Sequence, residues 1–397
     1  MITIHNEREC CGCSACMAAC PAGCIEMIPG TLGAMLPRVY TERCINCGKC
    51  KAVCPLQNAV SVKQTAETQQ VYAAYAADDE VRFSGSSGGI FGTIANLLLT
   101  EGYVVYGAGF DKDLKLRCMR AENTQELKPL LKSKYLQSDI SASYSDIRKT
   151  LEQGTKVLLV ATPCQIAAVR GYLGKNYENL LSIDFLCHGV PSQQLFDRCR
   201  EYEDAKYGCK TLAYSFRTKI KGGSTPHYFT VQTEKKGKRR TVTRPYFKSV
   251  YYAFFQQYIS LRESCYDCVF SEKDRVSDLT IADFHAIERY ETSINRFDGM
   301  STVILNTEKG KLLFDRIKKS LWYREYSMET LMRDGVLFAE KTKRPAGRDA
   351  FARDYHTLDF ESFVTRHINR TKYAIYGIYY RLPKPLRRAL RNVLHIG

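Results

Sequence analysis

Apolar residues follow two different periods in the middle of the chain, one typical of buried strands and the other of amphipathic helices. Short apolar runs at 71–77, 103–110, 156–161 and 179–186 predict strands. The segments between and after them, 88–99, 165–173 and 191–203, predict helices. Alternation of strand and helix is typical of an α/β domain, so we expect a mostly parallel sheet flanked by helices.

The pattern changes after residue 210. Three β-like segments, 212–219, 227–234 and 238–244, follow one another, and Lys235 to Lys238 around Gly237 predict a hairpin turn between the last two. Residues 249–262 predict a helix. From about Phe363, apolar residues recur at helical spacing among basic ones, which predicts one or two amphipathic helices broken at the prolines of 381–385.

An internal repeat opens the chain, with CCGCSACMAACP at 10–21 and CINCGKCKAVCP at 44–55. We interpret residues 1–62 as one small pseudo-symmetric α+β domain of the bacterial two-cluster ferredoxin type. The polar run at 61–70 predicts a linker. A larger α/β domain is expected at 71–340 and a basic helical tail at 341–397.

The repeat carries the pattern CxxCxxCxxxCP twice. Three closely spaced thiolates on a loop can bind three corners of a [4Fe–4S] cubane, and in two-cluster ferredoxins the fourth Cys ligates the other cluster. We therefore predict two clusters, whose ligands are Cys10, Cys13, Cys16 and Cys54 for the first, and Cys44, Cys47, Cys50 and Cys20 for the second. Structural zinc is the alternative, since CxxC pairs also bind Zn²⁺. Cys11 and Cys24 fall outside the spacing and are expected to be spare.

Four further cysteines suggest a third metal site in the large domain. Cys164 and Cys187 each follow a predicted strand, where the carboxyl ends of parallel strands form a binding crevice, and Cys265 and Cys268 form a CxxC pair. Together they provide four thiolates for a third cluster; redox-active or merely buried thiols are the alternatives. Cys118, Cys199 and Cys209 have no partner spacing and are interpreted as ordinary residues.

Charge is distributed unevenly along the 397 residues. The formal net charge is +16, and residues 340–397 hold 13 basic and five acidic side chains, which is half of that excess. Such a segment can bind an anionic lipid surface or can simply be a solvated basic face. We expect no nucleic acid partner. The N-terminus lacks the features of a signal peptide and no apolar stretch reaches the length of a membrane span, so a cytoplasmic protein is expected, with peripheral contact at the inner face of the membrane as an option.

A glycine- and serine-rich loop, FSGSSGGIF at 83–91, is predicted to lie between a strand and a helix, where free N–H groups can hold a phosphate. It is followed in order by KSKYLQS at 132–138, ATPCQIAAVR at 161–170, LCHGVPS at 186–192, LRESCYDCVF at 261–270 and LTIADF at 279–284. In this order of motifs, over roughly residues 70–310, the chain resembles the coenzyme F420 hydrogenase/dehydrogenase beta-subunit family, with a two-cluster ferredoxin domain fused in front.

The resemblance implies a flavoprotein fold that binds FAD, with a deazaflavin coenzyme as hydride partner. It implies cofactor-binding roles for three groups of residues, namely Ser84, Gly85, Ser86, Ser87, Gly88 and Gly89; Lys134, Tyr135 and Gln137; and Thr162, Pro163 and Gln165. The chain departs from the family at Ala282 and His285 around Asp283 and Phe284, which leaves deazaflavin use open.

The resulting hypothesis is an iron–sulfur flavoprotein oxidoreductase that passes electrons between FAD and clusters, because a flavin exchanges two electrons on one side and one on the other. Its partner is a redox protein or a small hydride carrier. A ferredoxin-fed reductase in surface polysaccharide or metabolite biosynthesis is one alternative, and a carrier subunit without flavin is another. His188 and Asp283 are weak candidates for acid–base catalysis.

Overall fold

The computed structural model describes residues 1–58, 69–221, 228–333, 340–380, 382–383 and 386. In chain order the strands are β1 Ile25–Pro29, β2 Met35–Val39, β3 Gln70–Ala76, β4 Val104–Phe110, β5 Leu116–Ala121, β6 Val157–Val160, β7 Leu180–Phe185, β8 Lys210–Thr218, β9 Tyr228–Lys235, β10 Lys238–Pro245, β11 Leu279–Asp283, β12 Ser301–Leu305 and β13 Leu321–Tyr326.

The α-helices are α1 Ala15–Ala18, α2 Lys49–Ala52, α3 Asp79–Ser84, α4 Ile90–Thr100, α5 Thr124–Leu127, α6 Ser143–Glu152, α7 Pro163–Leu173, α8 Gln193–Tyr207, α9 Val250–Gln256, α10 Glu308–Ile317, α11 Met328–Arg333, α12 Arg348–Thr357, α13 Phe360–His367 and α14 Arg370–Tyr379.

An eight-stranded sheet, in the order β13-β3-β12-β11-β7-β6-β4-β5, forms the centre of the large domain. The four strands β11, β7, β6 and β4 are mutually parallel, and five of the eight strands run in one direction. The mostly parallel sheet predicted from sequence is therefore confirmed. All four residues of β6 are buried, as a strand covered on both faces must be.

Helices cover both faces of this sheet. Ile90, Ile94 and Leu98 of α4 are buried in one hydrophobic cluster, while α6 and α7 contribute to a second one. These side chains lie three or four positions apart, so they share one side of their helix. The helices thereby fix the carboxyl ends of the parallel strands, where the candidate site lies.

The N-terminal unit is a small α+β structure in which the antiparallel β1–β2 hairpin stands beside the short helices α1 and α2. Its core consists mainly of cysteines with Ile2 and Ile25. A hydrophobic core of this size is too small to stabilise the unit by itself, so contacts with the large domain and bound metal matter for its stability.

A second antiparallel sheet contains β8, β9 and β10, as the β-like segments predicted. The predicted hairpin turn is also present, with Lys236 and Gly237 in the left-handed region at φ 50° and 71°. The helix predicted for residues 249–262 is shorter: α9 ends at Gln256, and Tyr258 has a left-handed φ of 53° that a helix cannot continue through.

The described part of the predicted tail, which begins at residue 341, packs against the larger domain. Phe351 of α12 and Phe363 of α13 are fully buried, in the same cluster as residues of α8 and α9. Ile378 of α14, in contrast, is 64% exposed. The predicted linker at 61–70 and the proline break at 381–385 fall mostly outside the described residues. No helix in the described part of the chain is both long and apolar enough to cross a bilayer.

We expect Phe351→Ala to lower the free energy of unfolding by about 3–5 kcal/mol, because the side chain fills a closed site that cannot collapse around a cavity. Urea denaturation under anaerobic conditions measures the change. Ile378→Ala is the control and should stay within about 0.5 kcal/mol of the wild type. A Phe351→Ala variant as stable as this control would show that α12 is not part of the cooperative core.

Candidate functional site

The cysteines of the first predicted cluster meet at the inner side of the N-terminal unit. Cys16 lies in α1, and Cys54 follows α2. The Cys10 and Cys16 thiols are each within electrostatic reach of Cys13 and Cys54. Burial raises the pKa of Cys10 and Cys54, since a desolvated thiolate without a metal is costly. Four converging thiols of this kind fit a [4Fe–4S] cluster.

The cysteines of the second predicted cluster meet at the outer side of the unit. A small cavity there is lined by Cys20, Cys44, Cys47 and Cys50, together with Cys24. Cys47 is exposed. The Cys24 sulfur lies 3.4 Å from that of Cys20, so this residue, expected to be spare, belongs to the same group of thiols.

Side chains of the large domain hold the loop that carries the first group of cysteines. The Gln137 amide nitrogen donates to the carbonyls of Cys11 and Gly12, at 2.8 and 3.0 Å. Tyr144 Oη donates to the Cys13 carbonyl at 2.8 Å, and Arg262 Nε donates to the Cys10 carbonyl at 3.0 Å. All four consecutive carbonyls from residue 10 to residue 13 are thus bound by the large domain. We call this contact the domain seam.

The third predicted group of cysteines lines a cavity of about 440 Å³ at the carboxyl ends of the parallel strands. Cys164 lies in the first turn of α7, directly after β6, and Cys187 follows β7. Cys265 lies in the 3-10 helix Glu263–Asp267, and Cys268 ends it. Cys187 is within electrostatic reach of the other three. The fold therefore brings all four together from separate parts of the sequence.

The backbone at Gly189 packs closely against one of these cysteines. Gly189 has φ +116°, and a Cβ there would lie 2.8 Å from the Cys265 Cβ. Burial raises the pKa of Cys187 and raises that of Cys265 to about 12. Hydrogen bonding with the Cys11 thiol is the largest cause that lowers the pKa of Cys164 to about 7.

Cys11, expected to be spare, lies between two groups of thiols. It interacts with both Cys13 and Cys164, and it lines the cavity. The first group and the third group are therefore neighbours across the domain seam. Among the described residues, no group of three or more His, Cys, Asp and Glu side chains is arranged to hold a single metal ion.

The glycine- and serine-rich loop forms the opposite end of the cavity, with Gly85, Ser86, Ser87 and Gly89 in the wall. As predicted, the loop lies between a strand, β3, and a helix, α4, but an additional short helix precedes it. The helix α3 intervenes, begun by Asp78, whose carboxylate accepts N–H bonds in its first turn. Six helical residues are too few to leave a readable period in the sequence.

Most hydroxyls of the loop bind protein rather than pointing at an open site. Ser84 Oγ donates to the Val81 carbonyl and Ser87 Oγ to the Met300 carbonyl, while Ser86 Oγ accepts from the Ser133 N–H. Gly88 packs so tightly that a Cβ would lie 2.3 Å from the Ala74 carbonyl oxygen. The described structure offers no hydrogen-bond partner to the Ser86 and Ser87 N–H groups, which leaves these two for an anion.

Two partly buried lysines, Lys134 and Lys219, lie beside this loop. Lys134 Nζ donates to the Leu131 carbonyl at 2.7 Å, and burial, assisted by Lys132, lowers the Lys134 pKa to about 7. Lys219 Nζ donates to the Ser87 carbonyl at 2.6 Å, and burial likewise lowers its pKa to about 7. From the sequence, Lys219 is interpreted as solvated surface charge, with contact to an anionic cofactor or substrate group as the alternative; the structure places its ammonium against the Gly/Ser loop.

The remaining predicted cofactor residues also lie in the cavity wall. Tyr135 stacks on Phe255 with ring centroids 4.8 Å apart. Thr162 and Pro163 start α7, and the Gln165 amide nitrogen donates to the Ser138 carbonyl at 2.8 Å. The wall near the thiols is thus aromatic and amide-rich.

The two weak acid–base candidates differ in their surroundings. Arg217 donates two hydrogen bonds of 2.6 and 2.8 Å to the Asp283 carboxylate, so both of its oxygens are engaged. His188 lines the cavity, and burial, followed by the charge of His285, lowers its pKa. A neutral imidazole can accept a proton, whereas an arginine-bound carboxylate is a poor base.

Family models assign most of the chain to one family. The model for the N-terminal part of the coenzyme F420 hydrogenase/dehydrogenase beta subunit matches residues 71–144, and the model for its C-terminal part matches residues 154–329. A 4Fe-4S dicluster domain matches residues 9–60. No curated protein matches the chain. Among solved structures, a chain of the F420-reducing [NiFe] hydrogenase complex from Methanosarcina barkeri is similar at 15% identity and a TM-score of 0.42, over 79% of this chain and 92% of that one.

The two repeat glycines give a test of the domain seam. Gly12 and Gly48 both have left-handed φ, 64° and 74°, but a Cβ at Gly12 would lie 2.5 Å from Arg262 Nη1, whereas nothing lies within 4 Å at Gly48. Gly48→Ala should cost only the backbone strain of about 1–2 kcal/mol. Gly12→Ala should cost a further ~1–3 kcal/mol for the steric clash.

The free energy of unfolding of both variants, measured on anaerobically purified protein, decides the point. Equal losses would mean that Arg262 moves aside freely and that the seam is not tightly packed at Gly12.

Proposed function

Because the chain belongs to the coenzyme F420 hydrogenase/dehydrogenase beta-subunit family and is an iron–sulfur oxidoreductase, we propose that its large-domain cavity holds FAD, from which electrons pass to or from [4Fe–4S] clusters. Two clusters are proposed in the N-terminal unit and a third at Cys164, Cys187, Cys265 and Cys268. The substrate is a deazaflavin coenzyme or another hydride-accepting molecule.

The observation that carries this proposal is a single cavity with two chemically different ends. One end has the Gly/Ser loop with partly buried lysines, and the other has four thiols. A flavin dinucleotide needs both a site for its phosphates and an electron acceptor near its ring. A flavin exchanges two electrons with a hydride partner on one side and single electrons with clusters on the other.

The residues at the polar end fit an anionic group. Lys134 is partly buried in the cavity wall, and in the described part of the chain its ammonium has only the Leu131 carbonyl as a hydrogen-bond partner. A desolvated cation without an anion is costly, and the lowered pKa of Lys134 reflects that cost. The Ser86 and Ser87 N–H groups line the same cavity and can donate to an anion. Lys134 and these N–H groups would hold the phosphates.

The residues at the other end orient the reacting partners. Tyr135 and Phe255 give a flat apolar wall that excludes water from a ring packed against it. His188, neutral because of burial, can hold a proton near the substrate. The Arg217–Asp283 ion pair has no net charge, and its two hydrogen bonds keep both side chains in a fixed orientation in the wall.

Anaerobic purification followed by iron, sulfide and flavin quantification on one sample tests the proposal. We expect about twelve irons and one FAD per chain, since three [4Fe–4S] clusters hold about four irons each. Cys265→Ser should lower the count by about four, whereas Cys209→Ser, which changes a thiol outside the three groups, should not.

The other outcomes are equally informative. A count of about eight irons per chain with flavin would contradict the proposed cluster in the large domain. Iron without flavin would contradict the proposed enzyme and leave a carrier subunit that connects a partner enzyme to an electron source.

Lys134→Gln should weaken flavin binding about tenfold to a hundredfold, which corresponds to the loss of a ~1.5–3 kcal/mol charge-assisted bond. Wild-type affinity should also fall as the pH rises above 7. In the free protein Lys134 loses its proton near pH 7, so above that pH anion binding must first restore the proton.

Flavin fluorescence titrations between pH 6 and pH 9 measure both effects. Lys128→Gln, which removes an exposed lysine six residues earlier, is the control and should bind flavin like the wild type. A Lys134→Gln variant with unchanged affinity and an unchanged pH profile would assign the phosphates to another place.

A further inference from the structure

Arg262 occupies an unusual position in the domain seam. Its side chain is buried, with 3% of the residue exposed. Nε donates to the Cys10 carbonyl at 3.0 Å, Nη1 to Gln137 Oε1 at 2.9 Å and Nη2 to the Met35 carbonyl at 2.5 Å. Every one of these acceptors is neutral, so none of them balances the guanidinium charge.

Two of the other buried arginines have carboxylate partners, whereas Arg82 donates to the Gly299 carbonyl and lies over the Tyr75 ring. Arg275 pairs with Asp184 at 3.0 Å, and Arg348 pairs with Glu263 at 3.4 Å. Glu263, the carboxylate next to Arg262 in sequence, instead faces Arg348 and Arg344. Within the described residues Arg262 has no ion pair with a carboxylate. A buried cation of this kind requires a negative charge from another source.

The ionisable groups around Arg262 are thiols from two different sites. Nη2 lies 3.9 Å from the Cys10 sulfur. Its charge also acts on Cys164 and Cys265, in each case favouring the thiolate. The guanidinium therefore lies between the first cysteine group of the N-terminal unit and the thiol group of the large domain.

We propose that Arg262 is a positioning residue for electron transfer between the domains, one cation that raises the reduction potentials of the first N-terminal cluster and of the large-domain cluster together. This inference rests on the proposed function, because it requires both clusters. Reduction adds one negative charge to a cluster, and a nearby buried cation stabilises the added charge.

A single cation close to two sites shifts both reduction potentials in the same direction. One electron would leave one cluster and enter the other, with no proton moved and no bond broken. Because both potentials rise together, the cation changes their difference less than it changes either potential. The favoured direction of transfer across the seam would then depend on the other surroundings of each cluster and on the supply of electrons at the two ends.

Redox titration followed by electron paramagnetic resonance on the full chain tests the role. Signals are assigned with Cys10→Ser, Cys47→Ser and Cys265→Ser. In Arg262→Gln we expect the first N-terminal cluster and the large-domain cluster to become harder to reduce by at least tenfold in equilibrium constant, which is 59 mV for a one-electron couple. The second N-terminal cluster, carried by Cys44 and Cys47, should not shift.

Two further variants separate charge from packing. Arg262→Lys keeps the charge but loses the forked geometry, so it should keep both potentials within tenfold of the wild type even if the protein is less stable. Arg43→Gln removes an exposed arginine beside Cys44, and the solvent-screened charge should affect no cluster by as much as tenfold.

Three results would overturn the inference. One is an Arg262→Gln protein with full iron content and unchanged potentials, and another is an equal shift of all three clusters. If Arg262→Gln does not retain iron, Arg262→Lys decides, because a tenfold shift in that variant contradicts a role through charge. Failure of the proposed function is distinguishable, since it would appear as missing iron or flavin in the wild type.

Discussion

The structure depends on how the large domain holds the loop of residues 10–13. Gln137, Tyr144 and Arg262 come from three distant parts of the sequence, and together they bind each carbonyl of that loop. Backbone carbonyls that face a protein interior must find donors, and here the donors come from the other domain. The small unit, whose own core is mainly cysteine, is thereby fixed in position and orientation.

The same contact explains the arrangement of the thiols. Because the loop is fixed, Cys11 lies beside Cys164, and one group of cysteines borders another. The cavity then continues from these thiols to the Gly/Ser loop along the carboxyl ends of the parallel strands. Parallel strands are a good frame for such a site, since their ends converge while their cores are covered by helices.

Much of this could be predicted from the sequence, and the reasons are specific. The parallel strands could be predicted because runs such as 157–160 are wholly apolar, and the cysteine spacing predicted the N-terminal unit directly. The predicted cofactor residues do lie around one cavity, apart from Ser84 and Gly88 at the back of the loop. The short helix α3 and the antiparallel β12 and β13 were missed, because neither six helical residues nor a five-residue apolar strand carries an unambiguous period.

The residues that no pattern could reveal are those whose significance comes from a distant partner. Arg262 and Tyr144 look ordinary in their own segments and become notable only when the fold sets them against a cysteine loop. Cys11 was judged by spacing alone, which reports on neighbours along the chain and not on neighbours across the seam.

The close packing at the seam also limits how the protein can move. Ser192 binds the Leu32 carbonyl, and a Cβ on Gly171 would lie 3.1 Å from the Val53 carbonyl oxygen, so contacts extend well beyond the loop itself. A swinging motion of the N-terminal unit would have to break all of these at once. The unit is therefore held fixed against the large domain and is not a tethered mobile carrier, so electron exchange between the two parts would need no diffusive search, and its rate would not change on dilution of the protein.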